Sequence, residues 1–272
     1  MTFGHPTLTA AMEAWWELHG QEWSDPEWHR YLGIYQRGLA EKFDELRKPH
    51  RNEGPDGERR FGMSGAGSCT RKAGLKMLGF YGEKPSGSVK RNWFLGHVLE
   101  PDAIAMLRVL GIEVEGQQEP AFIDPFMASY SDGILPDFEG RRAVLSVKTT
   151  GFKGSTRNRH KVPKDGEDFW YRRRGFAELP EKGVLASNGS WWVQAQAEMH
   201  ALSLDRALFV VVAKDQTRSM STDPLCESLS FYTEVIQYDR RFCEGELIPT
   251  WQRAWDAVKA GRLPEAIVFA PT

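Results

Sequence analysis

The chain has 272 residues, of which 41% are hydrophobic and 26% charged, and its formal net charge is −2. This composition is typical of a globular protein and excludes a disordered tail, a collagen-like fibre and a coiled-coil rod. No segment approaches the roughly 20 apolar residues of a membrane span, and the N-terminus lacks the basic and apolar regions of a signal peptide. The three widely spaced cysteines fit neither a disulfide framework nor a zinc site built from cysteine alone. We therefore expect a soluble, cytoplasmic protein with no membrane association.

The N-terminal region, residues 1–62, is predicted to be a helical extension followed by a linker. Asp25 can cap a helix whose first residue is Pro26, and apolar residues recur at helical spacing from Trp28 to Leu46. Residues 48–62 are rich in glycine, proline and charge, which is typical of a linker. We expect residues 63–272 to form the main domain.

The main domain alternates between helical and strand patterns. A helix is predicted to begin at Pro101 and to end near Leu110. Strands are predicted at residues 112–115, 121–130, 143–149, 207–213 and 229–238, where β-branched and aromatic residues are frequent. Helices are predicted at residues 190–202 and 239–262. This order indicates an α/β fold in which a central mixed β-sheet is flanked by helices.

A strongly basic insertion, residues 152–189, separates two of these strands. Its part from Phe152 to Gly175 contains eight lysine and arginine residues and three acidic residues, a net charge of +5. Such a segment can hold a polyanion such as DNA, although a solvated basic loop explains it equally well. The candidate DNA-binding residues here are Lys153, Arg157, Arg172, Arg173 and Arg174.

Two neighbouring strands carry side chains suited to metal-assisted chemistry. Asp132 stands at a strand end, and Ser146 and Lys148 lie on the next strand, with side chains on one face while the residues between them point into the core. An acid that holds a divalent cation and a lysine that orients or deprotonates water are what phosphodiester hydrolysis requires. Taken alone, the pair could equally be a surface turn and an isolated lysine.

Further motifs stand on either side of this pair. Gly96 lies four residues before Glu100, which is followed by Pro-Asp-Ala, and Gln194 and Gln196 lie on the predicted helix at 190–202. In this order the motifs resemble the PD-(D/E)XK nuclease superfamily, specifically the phage recombination exonucleases of the lambda exonuclease and YqaJ group, which are related to RecB nucleases. The resemblance covers roughly residues 63–240 and implies a PD-(D/E)XK nuclease-like core.

The resemblance implies a metal-dependent deoxyribonuclease, an exonuclease that degrades linear double-stranded DNA for phage-type recombination. The alternatives are a site-specific endonuclease and a catalytically silent protein that binds DNA ends. Further implied partners are a single-strand annealing protein and two more copies of the chain in a trimer. The host cytoplasm is the implied location if the gene belongs to a phage.

The resemblance also assigns roles to particular residues. It implies two Mg²⁺ or Mn²⁺ ions, with Asp132 as the central ligand, Glu100 as an outer carboxylate and Lys148 as the water-activating base. Gln194 or Gln196 would be a positioning residue, and only one of them can readily face the site because they are about 200° apart on a helix. Arg71 is implied to receive the 5′-phosphate of the DNA end, although a solvent-facing arginine is at least as good an explanation.

Ser146 departs from the motif, because the family has glutamate or aspartate at this position. A neutral hydroxyl is a poor ligand for a hard divalent cation. The acid could have moved to Glu198, one turn beyond Gln194 on the same helical face, or Ser146 could silence the site, or the chain could be a naturally inactive relative. Relocation and silencing are about equally favoured by the sequence, and the sequence-based expectation is weak activity that Ser146→Glu increases.

Overall fold

The computed structural model describes residues 5–19, 24–47, 52–151, 176–213 and 231–269. Within these ranges, no helix combines the length and the apolar character that crossing a bilayer requires. Two β-sheets form the centre of the structure, and helices cover them. The predicted α/β class with a mixed sheet flanked by helices is confirmed.

The N-terminal region contains the helices α1 (Pro6–His19) and α2 (Pro26–Leu46). The side chain of Asp25 accepts a hydrogen bond from the backbone N–H of Glu27, and Pro26 occupies the first turn, as the sequence predicts. The hydroxyl of Tyr31 donates a hydrogen bond to Asp102, which connects α2 to the long helix α4 (Gly87–Val109).

The larger sheet has four strands in the order β4-β5-β6-β7. Its strands are β4 (Gly133–Phe138), β5 (Arg141–Thr150), β6 (Arg206–Ala213) and β7 (Phe231–Gln237). β5 and β6 are parallel, while the outer pairs are antiparallel. The smaller sheet has the order β1-β3-β2, with β1 (Phe61–Gly62), β2 (Pro120–Ile123) and β3 (Met127–Tyr130).

Six further helices complete the fold: α3 (Thr70–Met77), α4 (Gly87–Val109), α5 (Leu179–Ser187), α6 (Gly189–Leu202), α7 (Arg240–Phe242) and α8 (Ile248–Lys259). A π-helical segment, Cys243–Leu247, joins the last two. The prediction that Pro101 begins a helix is wrong, since α4 begins at Gly87 and Pro101 lies inside it. Pro101 is buried there against Gly38 of α2, where an added Cβ would stand 3.3 Å from the proline Cβ. Because proline has no backbone N–H, one hydrogen bond of α4 is missing at this position, where the helix packs closely against α2.

Two strand predictions also need correction. Residues 112–115 form no strand; Glu115 makes only an isolated bridge with Ile134. The expected strand at 121–130 is divided into β2 and β3 by a turn at Asp124 and Pro125, and the two halves pair with each other. A proline cannot donate to a strand ladder, which favours a turn at this point.

Both faces of the larger sheet are buried. One face packs with α4 and the N-terminal helices, through residues that include Leu145, Val147, Leu208 and Val210. The other face packs with α6, α8 and the smaller sheet, through residues that include Val144, Phe209 and Val211. Helix α6 contacts β2 and β5, so it lies between the two sheets. The boundary at residue 62 stays a prediction, although α1 and α2 share a core with the sheet.

Candidate active site

An open cleft of about 270 Å³ lies where α4, the end of β5 and the start of α6 meet. Residues along it include Trp93, His97, Glu100, Lys148, Thr149 and Trp191. Three predicted site elements therefore come together: the Glu100 motif, the strand with Lys148, and the helix that carries the glutamines. The arrangement results from the central position of β5, which places its C-terminal half between α4 and α6.

Asp132 and Lys148 form an ion pair beside this cleft. Their nearest charged atoms, Oδ2 and Nζ, are 3.5 Å apart. The same Oδ2 accepts a hydrogen bond of 2.8 Å from the backbone N–H of Val147, which fixes the carboxylate to β5. The next residue, Gly133, has no room for a side chain, because a Cβ added to it would lie 2.7 Å from Cγ1 of Val114. The Asp-Gly motif thus combines a fixed carboxylate with a position that needs a small residue.

Glu198 is buried on α6 within the same electrostatic environment. Its Oε1 accepts hydrogen bonds from Ser129 Oγ at 3.0 Å and from Gln194 Nε2 at 2.9 Å. Burial raises its pKa; the charge of Lys148 opposes this shift, and that of Asp132 adds to it. Glu198 is 2% exposed, and its carboxyl group lies close enough to Lys148 and Asp132 for both charges to act on it.

Ser146 is completely buried on β5, next to Lys148 in the alternating pattern. Ser146 lies on the same face of β5 as Val144, and this face also packs into a hydrophobic core. The expectation that only the residues on either side of Ser146 point into a core is therefore incomplete. Within the described part of the chain, Ser146 Oγ has no hydrogen-bond partner. A buried hydroxyl without a partner costs about 1–3 kcal/mol, so fold stability gives no reason for a serine here.

Glu100 is held by a lysine from the N-terminal region. Lys42 Nζ lies 2.9 Å from Oε1 and 2.9 Å from Oε2 of Glu100, and 3.1 Å from Glu45. Burial, together with the charge of Asp132, raises the pKa of Glu100 from its ordinary 4.5 to about 7, against the opposing effect of Lys42. Glu100 therefore interacts with the site, but both of its oxygens are engaged by Lys42.

The raised pKa of Glu100 predicts a pH-dependent stability. The folded protein binds an extra proton between pH 4.5 and about 7, so the stability from this group is present below pH 4.5 and is lost as the pH rises through 7. The loss amounts to about 3 kcal/mol at most. We expect Glu100→Gln to reduce the difference in unfolding free energy between pH 5 and pH 8, measured by urea denaturation. An identical pH dependence in both proteins would contradict the assignment.

Of the other predicted residues, Gln196 and Arg71 are described by the structure, and neither lines the cleft. Gln196 is fully buried and donates to the carbonyl of Gln237 while accepting from the N–H of Asp239, so it anchors α6 to β7 and Gln194 alone faces Glu198. Arg71 is exposed on α3 and donates from Nε to the carbonyl of Pro264. The five basic candidates of the insertion, Lys153, Arg157, Arg172, Arg173 and Arg174, lie outside the described residues.

Two partners of the site were not predicted from the sequence. Ser129 lies on the smaller sheet and donates to Glu198, and no motif marks it. Lys42 has a signal, because it shares a helical face with Tyr31, Tyr35 and Gly38, the face that packs on α4. A lysine on the packed face of an amphipathic helix requires an acidic partner.

The donor chemistry fits a small hard cation, but with fewer protein ligands than the resemblance implies. Among the described residues, no three or more histidine, cysteine or acidic side chains are arranged to hold a metal ion. Because Lys42 engages Glu100, the carboxylates that remain near Lys148 are those of Asp132 and Glu198. Mg²⁺ is commonly bound by one or two carboxylates, with waters and substrate phosphates as its other ligands. The residues present therefore suit such a two-carboxylate site.

No protein-family model matches the chain, and neither does any curated protein. The fold is similar to that of an alkaline exonuclease from Laribacter hongkongensis, LHK-Exo, at 13% identity, with 74% of this chain and 89% of that chain covered and a TM-score of 0.43. The structure of LHK-Exo in complex with dAMP has the same identity and coverage and a TM-score of 0.44.

A phage-related exonuclease from Haemophilus somnus 129PT is similar at 16% identity, with 74% of this chain and 96% of that chain covered and a TM-score of 0.47. Both of these proteins are exonucleases. The likeness concerns the course of the chain alone, and the roles of the site residues depend on their own geometry.

Proposed function

We propose that the protein is a metal-dependent deoxyribonuclease whose active site consists of Asp132, Lys148 and Glu198. The observation that supports this most strongly is the burial of Glu198 beside the Asp132–Lys148 ion pair. An acid whose pKa is raised by burial, and on which a neighbouring lysine and aspartate also act, is typical of catalytic sites. In this proposal Glu198 supplies the acid that the strand motif lacks at Ser146.

The proposed cofactor is Mg²⁺ or Mn²⁺, held by Asp132 and Glu198. When bound, such a cation polarises the phosphodiester and lowers the pKa of a coordinated water. The protein contributes fixed ligands: the Val147 N–H holds Asp132, and Ser129 with Gln194 holds Glu198. Hydrogen bonds of this kind keep metal-ligating carboxylates in a productive orientation.

Lys148 has a separate role in the proposal. Its side chain is 13% exposed and lines the cleft, so its ammonium group can approach a phosphate bound there. The ion pair with Asp132 keeps the ammonium group directed at the site. From this position Lys148 orients the attacking water and stabilises the negative charge that develops on the phosphoryl oxygens.

The proposed substrate is linear double-stranded DNA, degraded from its ends. The GxxxEP segment at Gly96 to Pro101 and the paired glutamines of α6 favour an exonuclease, whereas the Ser-x-Lys sequence at residues 146–148 gives some support to a site-specific endonuclease. DNA is the proposed partner. A trimer of the chain and a single-strand annealing protein extend the proposal on the strength of the motif resemblance.

The test compares linear and covalently closed circular DNA, each incubated with the purified protein and Mg²⁺ or Mn²⁺. We expect the linear DNA to be degraded and the circular DNA to persist, with no degradation in EDTA. Discrete fragments from both substrates would identify an endonuclease instead. A gel shift without any products would contradict the enzymatic proposal and leave a DNA-binding protein.

A further inference from the structure

Lys42 is a buried lysine that reaches the candidate active site from outside the nuclease-like core. Its side chain is 8% exposed, and its ammonium nitrogen lies 2.9 Å from each oxygen of Glu100 and 3.1 Å from Glu45. Lysine is almost never buried to this degree without a paired charge. The contact therefore belongs to the architecture of the site and differs from the exposed ion pairs elsewhere on the surface.

The position of Lys42 is fixed by the packing of α2 on α4. Gly38, one turn earlier on α2, lies against Pro101, the residue next to Glu100. Further along the same face, the hydroxyl of Tyr31 donates to Asp102. Three consecutive residues of α4 are thus contacted by one face of α2, so the Lys42 ammonium group is held in register with Glu100.

The charges around the cleft indicate what Lys42 does there. Glu100, Asp132 and Glu198 form one electrostatic group, because Asp132 acts on both glutamates. With Lys148, Lys42 and Glu45, which also pairs with Lys42, the group has four carboxylates and two ammonium groups, a net charge of −2 when all are ionised. A single divalent cation neutralises this charge, whereas two would leave +2 on a site before any phosphate is bound. Like charges this close together are unfavourable.

We propose that Lys42 is a positioning residue of the active site, whose ammonium group takes the place of a second divalent cation beside Glu100. The site then holds one metal ion, between Asp132 and Glu198, instead of the two that the motif resemblance implies. This inference rests on the proposed function, since it concerns the same metal site. It also makes the N-terminal helix α2 part of the catalytic unit.

The test is the stoichiometry of Mn²⁺ binding to the full chain without DNA, measured by isothermal titration calorimetry and by electron paramagnetic resonance of free Mn²⁺. We expect one site in the wild-type protein and two in Lys42→Met, because Glu100 becomes available as a ligand. The double variant Lys42→Met/Glu100→Gln should return to one site. Lys259→Met, which removes an exposed lysine paired with Glu58, is the matched control and should keep one site.

A second variant, Lys42→Gln, covers the case in which Lys42→Met does not fold, since glutamine can still donate a hydrogen bond to Glu100. Lys42→Gln should also bind a second ion. Circular dichroism establishes that each variant is folded. Two sites in the wild-type protein, or one site in both folded Lys42 variants, would overturn the inference and leave the proposed nuclease function intact. Absence of Mn²⁺ binding in every protein would overturn both.

Discussion

Glu198→Gln is expected to reduce the rate of DNA cleavage by roughly 100- to 1000-fold, because loss of a metal-ligating charge costs several kcal/mol of transition-state stabilisation. Glutamine has nearly the same shape, and its carbonyl oxygen can still accept from Ser129 and Gln194. The fold should therefore persist. The measurement is the initial rate of release of soluble nucleotides from linear DNA at saturating Mg²⁺.

Stability gives an independent readout for the same substitution. Burial raises the pKa of Glu198, so its ionised form destabilises the folded protein as the pH rises, and glutamine should unfold at an equal or higher temperature at pH 8. Glu234→Gln is the matched control: Glu234 is a half-buried acid with a raised pKa, and it accepts hydrogen bonds from the Val184 N–H and the Tyr232 hydroxyl, away from the cleft. We expect Glu234→Gln to retain cleavage. Equal loss in both variants would mean that Glu198 acts only through the fold.

Asp132→Asn is expected to cause a loss of similar size, roughly 100-fold or more, because it removes both a metal ligand and the partner of Lys148. Asparagine is preferable to alanine as a probe, since its carbonyl oxygen can still accept from the Val147 N–H. The measurement is cleavage of linear DNA alongside a DNA-binding titration, in which binding should change much less than cleavage.

Asp137→Asn is the control for that experiment. Asp137 lies at the opposite end of β4, is exposed, and accepts a hydrogen bond from the backbone of Gly140 in a turn. Its substitution should leave cleavage within a factor of about two, as expected for a surface change of at most about 0.5 kcal/mol. Near-full activity of Asp132→Asn would refute the assignment of the site.

The sequence predicts those parts of the fold in which local signals and burial agree. α2 begins at the Asp25 and Pro26 signal, and β6 forms where a strand is predicted at residues 207–213 and is buried along almost its whole length. The start of α4 is missed because proline is most common in the first turn of a helix, whereas Pro101 lies inside one, packed on Gly38. That contact is tertiary and has no local signature.

In the candidate site, too, the features with a local sequence signal can be predicted, and those that depend on tertiary packing cannot. The motifs around Asp132, Lys148 and Glu100 can be recognised because each is a short pattern on one element, and β5 brings them together. The engagement of Glu100 by Lys42 depends on how α2 packs against α4, 58 residues further along the chain. Gln194 and Gln196 are indistinguishable as sequence, and only the position of β7 decides that Gln196 anchors the helix.

In the proposed site the catalytic acid lies at Glu198 instead of position 146, and a variant that exchanges the two positions tests this assignment. Linear DNA cleavage is measured in the wild-type protein, in Glu198→Gln and in the double variant Glu198→Gln/Ser146→Asp. Aspartate is the smaller acid and suits the fully buried position of Ser146, on the strand face shared with Lys148.

We expect an active wild-type protein, an inactive single variant, and a double variant that recovers at least about tenfold over the single variant, equivalent to about 1.4 kcal/mol. An inert wild-type protein that Ser146→Asp or Ser146→Glu activates would contradict this assignment, and would show instead that Ser146 silences the site.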